Sequence, residues 1–129
     1  MAMRIDFHRK GFTLIELLVV MAIVATLLSL VAPRYFNSLE KAKEAVLRQD
    51  LGLMRQAIDQ FYSDTGKYPI DLMEMVDKRY LRRIPIDPFT ESDQTWVEVP
   101  SPNLTEAGVY DVHSGYQGRA VDGSFYEEW

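Results

Sequence analysis

Cysteine is absent from all 129 residues, which excludes disulfides and thiolate metal sites. Histidine occurs only at His8 and His113, so no metal-ligating imidazole pair can be read from the spacing. Basic charge is in deficit: 14 Lys and Arg stand against 19 Asp and Glu, for a net charge of −5. Without residues 1–11 the chain would lose Arg4, Arg9, Lys10 and Asp6, and the net charge would fall to −7. Such an acidic body argues against sequence-independent nucleic-acid binding, which neutralises phosphates with Lys and Arg, and no nucleic acid is expected as a partner. A phosphate-binding Walker loop and a dinucleotide fingerprint are also missing. A small domain without disulfides must draw its stability from one well-packed core, a bound ion, or contacts with copies of itself.

Apolar sequence, in contrast, is concentrated in one place. Residues 1–10, MAMRIDFHRK, are polar and basic, and the 22 residues from Gly11 to Ala32 carry a single charge. As a helix they would span about 33 Å, enough for a hydrocarbon core of about 30 Å. The basic flank places the N-terminus on the cytoplasmic side. A secretory signal has a shorter apolar core and a small-residue cleavage site; this run is longer and ends at Pro33-Arg34-Tyr35-Phe36 without one. A plain anchor explains the length and the flank but not Glu16, a carboxylate inside the span that is costly unless paired. If the chain were cut between Gly11 and Phe12, the new α-amine and Glu16 would sit about one helical turn apart. In axially shifted parallel helices, the amine of one copy could then meet the carboxylate of the next.

Lys10-Gly11-Phe12-Thr13-Leu14-Ile15-Glu16-Leu17, at the head of a long apolar run, resembles the leader and N-terminal helix of type IV pilins and type II secretion pseudopilins. The resemblance implies cleavage after Gly11 by a prepilin peptidase and N-methylation of Phe12, with Phe12 and Glu16 acting in assembly. Pro33 matches a helix-interrupting proline of that family; its ring would kink or melt the helix, or simply end the span.

Beyond it, Leu47, Leu51, Met54, Ile58 and Tyr62 recur at helical spacing, and Leu39, Ala42, Val46, Leu53, Ala57 and Phe61 widen the stripe. Glu44 and Arg48 are placed for an i,i+4 pair, and Glu40, Lys41, Lys43 and Glu44 read as a solvated face or as a source of inter-subunit salt bridges. Gly66 suits a left-handed helix end, and Pro69 forbids continuation. Asp71 can cap a short helix reaching about Tyr80, with Leu72, Met75 and Val76 turned inward. The proline-dense stretch from Leu81 to Phe89 reads as a fixed loop. Thr95–Val99, Gly108–Ser114 and Arg119–Val121 are expected as three short strands packed on the helix.

Gly66-Lys67-Tyr68-Pro69, followed by Leu81, Pro85, Asp87, Pro88 and Phe89, is similar to a run in the major pseudopilins of the type II secretion system. The resemblance implies the type IV pilin fold, an α+β architecture. A long N-terminal helix, transmembrane in its first half and amphipathic in its second, packs on a small three-stranded antiparallel sheet. It also implies calcium in a C-terminal loop. Here that loop reads Ser114-Gly115-Tyr116-Gln117-Gly118, leaving Asp111, Ser114 and Asp122 as candidate calcium ligands, although an Asp-Gly pair such as Asp122-Gly123 is more often just a turn. The aromatic tail Phe125-Tyr126-Glu127-Glu128-Trp129 is expected to dock on the sheet. Asp111, His113 and Ser114 invite a catalytic-triad reading, but on a strand Ser114 points away from the other two, so no enzyme is expected.

The expected organisation is a cleaved leader (1–11), a transmembrane and filament-core helix (12–33), an amphipathic helix (34–63) and a globular head (64–129). The expected role is a structural subunit of a periplasmic filament that promotes export of folded proteins. It would be anchored in the bacterial inner membrane by a single pass, with a cytoplasmic N-terminus and a periplasmic head. The expected partners are copies of itself, minor pseudopilins, the inner-membrane assembly platform and its ATPase, the prepilin peptidase, and membrane lipid. The alternatives are a type IV pilin or minor pilin of a surface fibre, and a non-polymerising membrane-tethered binding protein.

Overall fold

The computed structural model describes Gly11 and residues 13–129. Helix α1 spans Leu14–Thr65 and α2 spans Leu72–Asp77; strand β1 is Trp96–Pro100, β2 is Val109–Ser114, and a 3-10 turn covers Tyr126–Glu128. The chain divides into two compact units, Met1–Phe36 and Asn37–Trp129, to each of which α1 contributes residues.

In the first unit α1 opens on Thr13. Its Oγ1 accepts the Glu16 N–H at 3.2 Å and its carbonyl accepts the Leu17 N–H at 3.1 Å, the start of a capping box. From Leu14 to Val31 every side chain is exposed. The Thr26 and Ser29 hydroxyls donate to backbone carbonyls of the same helix, Ala22 at 2.8 Å and Thr26 at 2.7 Å. The two hydroxyls of the span are thereby satisfied internally, as lipid or an apolar neighbour requires. The helix continues through Pro33, so no turn melts there; the proline removes one backbone donor.

In the second unit the buried stripe of α1 is Leu47, Leu51, Met54, Ala57, Ile58 and Phe61. Leu39, Val46 and Leu53 stay exposed, and half-buried Tyr62 stacks on Tyr68 with ring centroids 4.4 Å apart. Against the stripe lie Leu72 and Met75 of α2, Trp96, Val109 and Val112 of the strands, and Ala120 and Tyr126 from the C-terminal segment. At its end α1 behaves as the sequence predicts: Gly66 has φ +73° and donates to the Tyr62 carbonyl at 2.8 Å.

The Asp71 carboxylate caps α2 by accepting the Glu74 N–H at 2.8 Å, while Glu74 accepts the Ile70 N–H at 2.7 Å. The helix stops at Asp77, short of the expected Tyr80. Arg79 takes φ +66°, and the Arg79 and Tyr80 N–H groups turn back to the carbonyls of Val76 and Met75. That is a Schellman closure with arginine at the position where glycine is usual.

β1 and β2 form an antiparallel pair with Trp96 opposite Ser114 and Glu98 opposite Val112, and the register slips between Val99 and Pro100. The third strand expected at Arg119–Val121 reduces to one bridge, Arg119 to Phe125. A turn at Gly123, φ +90°, reverses the chain so soon that the segment pairs with itself: Ala120 N–H donates to the Ser124 carbonyl at 2.7 Å. Residues 81–95 contain no helix or strand and wrap around Asp87, which is fully buried. Its carboxylate accepts the Phe89 N–H at 2.8 Å and the Ser114 hydroxyl at 2.5 Å. Trp96 Nε1 donates to the Pro85 carbonyl at 2.7 Å. Partial burial, and secondarily the charge of Asp87, push the Asp50 carboxyl above its usual range.

Two expectations follow for the full chain in detergent micelles. A Cβ on Gly108, φ +115°, would lie 2.7 Å from the Pro69 carbonyl oxygen and 2.9 Å from Tyr68 Cβ, whereas Gly66 has open space around it. Chemical unfolding followed by circular dichroism should therefore show Gly108→Ala losing about 2 kcal/mol or more. Gly66→Ala should lose only about 1 kcal/mol, from backbone strain alone. For Asp50, the folded chain holds the proton more tightly than the unfolded chain does. Its ionisation therefore lowers stability at neutral pH, and the penalty fades as pH falls through the raised pKa. Asp50→Asn should raise the melting temperature at neutral pH and do little once Asp50 is protonated; an equal shift at both would rule the ionisation out as the cause.

Candidate functional site

Of the predicted assembly residues, Glu16 and Pro33 lie along α1 rather than in a pocket. Gly11 is exposed. Phe12, and with it the expected cut and methylation position, lies outside the described residues. Glu16 is the third residue of α1 and is exposed, so its carboxylate sits where unpaired N–H groups and the helix dipole favour negative charge. That local stabilisation reduces the cost of an acid in an apolar segment, and among the described residues no cation pairs with its oxygens. Pro33 follows about five turns later, inside the helix.

The three candidate calcium ligands are each engaged by a different protein group. Asp111 Oδ1 accepts Arg55 Nε at 2.8 Å. The Ser114 hydroxyl donates to Asp87. Asp122 Oδ1 accepts the Ser124 N–H at 2.9 Å and its hydroxyl at 2.6 Å, and these bonds hold the Asp122 carboxyl below its usual range. Among the described residues no group of three or more His, Asp or Glu side chains is placed to hold a metal ion. The residues present therefore do not fit calcium, which needs six to eight oxygens. The triad reading fails on the same geometry: Asp111 Oδ2 is 3.9 Å from His113 Nε2, while Ser114 is engaged with Asp87. A cleft of about 480 Å³, which includes Tyr62, Tyr68, Ile70 and Glu106 in its walls, is lined by none of the predicted site residues.

The groups that organise the head are ones that sequence reasoning missed or misplaced. Glu44 and Arg48 are not an ion pair. Glu44 Oε1 accepts the Tyr126 hydroxyl at 2.9 Å and the Val121 N–H at 2.8 Å, and Arg48 lies 4.3 Å from the Trp129 ring centroid. The expected solvated face is therefore partly a docking face for the tail, with Lys43 5.9 Å from the Phe89 ring centroid. Tyr126, almost fully buried, touches the rings of Phe89, Tyr116 and Trp129. Burial, and secondarily the bond to Glu44, push its phenol pKa up and keep it a donor. The cap at Thr13 did have a local signal, Thr-x-x-Glu before an apolar run. Arg55 had none, because its partners lie 56 to 74 residues away.

The family described as "prokaryotic N-terminal methylation motif" matches residues 6–32. Type II secretion system core protein G of Escherichia coli (strain K12) is 30% identical over 128 residues, covering 87% of this chain and 84% of that protein. The same-named protein of Pseudomonas aeruginosa is 31% identical over 98 residues, covering 64% of this chain and 69% of that protein. Fimbrial protein EcpC of Eikenella corrodens is 27% identical over 122 residues, covering 91% and 79%. No solved structure matches the chain significantly.

Proposed function

The chain belongs to the family of type II secretion system core protein G, and from that membership we propose how its residues serve a secretion filament. It is a pseudopilin, a structural subunit of type II secretion carrying the N-terminal motif of a prepilin. In the reading advanced here, prepilin peptidase cuts between Gly11 and Phe12, and the new amine of Phe12 is methylated. Residues 12–33 then hold the subunit in the inner membrane, N-terminus inward and head in the periplasm. Polymerisation places this segment in the filament core beside its sister copies and minor pseudopilins, driven from the cytoplasmic side by an ATPase and its membrane platform.

One observation carries the assembly step: a continuously exposed surface from Leu14 to Val31, apolar except for Thr26, Ser29 and, near its start, the exposed carboxylate of Glu16. Apolar surface of that extent needs lipid or like helices around it. A carboxylate at its end rewards a neighbour that brings a positive charge, and the Phe12 amine of the next subunit supplies one. Similarity to a fimbrial protein over most of the chain supports a second reading, a subunit of a surface fibre with the same core.

Intact mass and N-terminal sequencing of protein from its native membrane should give a chain beginning at Phe12 with one added methyl group. A chain retaining Met1 in the presence of active peptidase would overturn the processing step. Glu16→Gln keeps the size and the helix position but removes the charge. It should insert normally yet lose inter-subunit cross-links by about tenfold or more, in line with the cost of an unpaired amine in an apolar core. Unchanged cross-linking would show that assembly does not need the Glu16 charge, and a native chain without inter-subunit cross-links would favour a membrane-tethered protein that does not polymerise. Deleting the gene separates the two filament readings: loss of exported folded protein marks a secretion filament, and loss of extracellular fibres marks a pilus.

A further inference from the structure

The half-buried guanidinium of Arg55 reaches from the C-terminal third of α1 to three acceptors. Nε donates to Asp111 Oδ1 at 2.8 Å, and Nη2 donates to the Val112 carbonyl at 3.1 Å and to the main-chain oxygen of Trp129 at 2.5 Å. His113 Nδ1 lies 2.6 Å from the same Trp129 oxygen. One side chain thus ties α1 to β2 and to the end of the tail. Glu44 and Arg48, further along α1 toward its start, hold Val121, Tyr126 and Trp129.

A bound divalent cation could do similar work by drawing carboxylates and carbonyls from several segments to one point. Here the candidate oxygens are already engaged by protein donors, and residues 115–118 add no carboxylate. We propose that Arg55 is a built-in cation for this head. Its guanidinium supplies the positive charge and the fork of donors that fasten β2 and the C-terminal segment, so the head is stable without calcium. A guanidinium suits the task because it stays charged and presents several donors in one plane. The inference stands on the second unit alone and is independent of filament assembly.

The test uses the full chain in detergent micelles, in chelator and in about 10 mM calcium chloride, well above the weak extracellular range of affinities. Melting is followed by circular dichroism, and hydrogen exchange of residues 119–129 by mass spectrometry. The native chain should melt within about 1 °C in the two conditions. Arg55→Met keeps the apolar stem without the charge. It should melt about 5–10 °C lower and exchange about tenfold faster over residues 119–129, with no recovery on adding calcium. Arg55→Lys keeps the charge but not the fork and should fall between the two, which also decides the matter if Arg55→Met does not fold. A calcium-dependent rise of about 5 °C or more in the native chain would overturn the proposal. So would unchanged exchange over residues 119–129 in the Arg55 variants.

Discussion

The second unit depends on the six side chains that α1 buries between Leu47 and Phe61. A pair of strands has too little apolar surface to stay folded alone in water, and α2 is only six residues long. Neither element has an independent reason to persist. Each exists because it covers the same stripe: α2 through Leu72 and Met75, the strands through Trp96, Val109 and Val112, and the C-terminal segment through Ala120 and Tyr126. Burial of this stripe is the main favourable term, and the polar contacts decide which segments lie where.

Those polar contacts divide between two centres. Asp87 gathers the proline-dense loop from inside: Phe89 N–H, Ser114 and the turn to Glu91 all close on it. Glu44, Arg48 and Arg55 of α1 gather the tail. The helix therefore acts as core on one side and as docking rail on another, and the acidic surplus of the chain is turned partly inward as acceptors for hydroxyls, N–H groups and a guanidinium. In a chain without cysteine, this arrangement supplies the long-range closure that a disulfide would otherwise give.

What could be read from the sequence was what is encoded locally. The apolar run, the helical spacing of Leu47 to Ile58, the Asp71 cap, the Gly66 end and the two true strands rest on neighbours within a few residues, and all are found in the fold. The third strand was misread because Ala120-Val121 has strand composition, whereas the Gly123 turn returns the segment onto itself. The early end of α2 was hidden because arginine at position 79 does not advertise a left-handed residue as glycine would. The Glu44–Arg48 pair was plausible on an isolated helix, but each partner finds a stronger engagement with residues 121–129. Long-range polar contacts leave no periodic trace, so Arg55 and its acceptors could be recognised only in three dimensions.

The unbroken exposure of Leu14 to Val31, with Thr26 and Ser29 folded onto their own backbone, makes lipid chains and sister helices near-equivalent solvents for this segment. Lipid tails are as apolar as leucine side chains, so exchanging one for the other leaves the covered area almost unchanged and carries little hydrophobic free energy of its own. On the proposed function, a subunit leaving the bilayer for a bundle of its own kind would move between two wells of similar depth. In the proposed filament, the direction of that traffic would rest on close packing and on the charged end of the helix rather than on burial of apolar area.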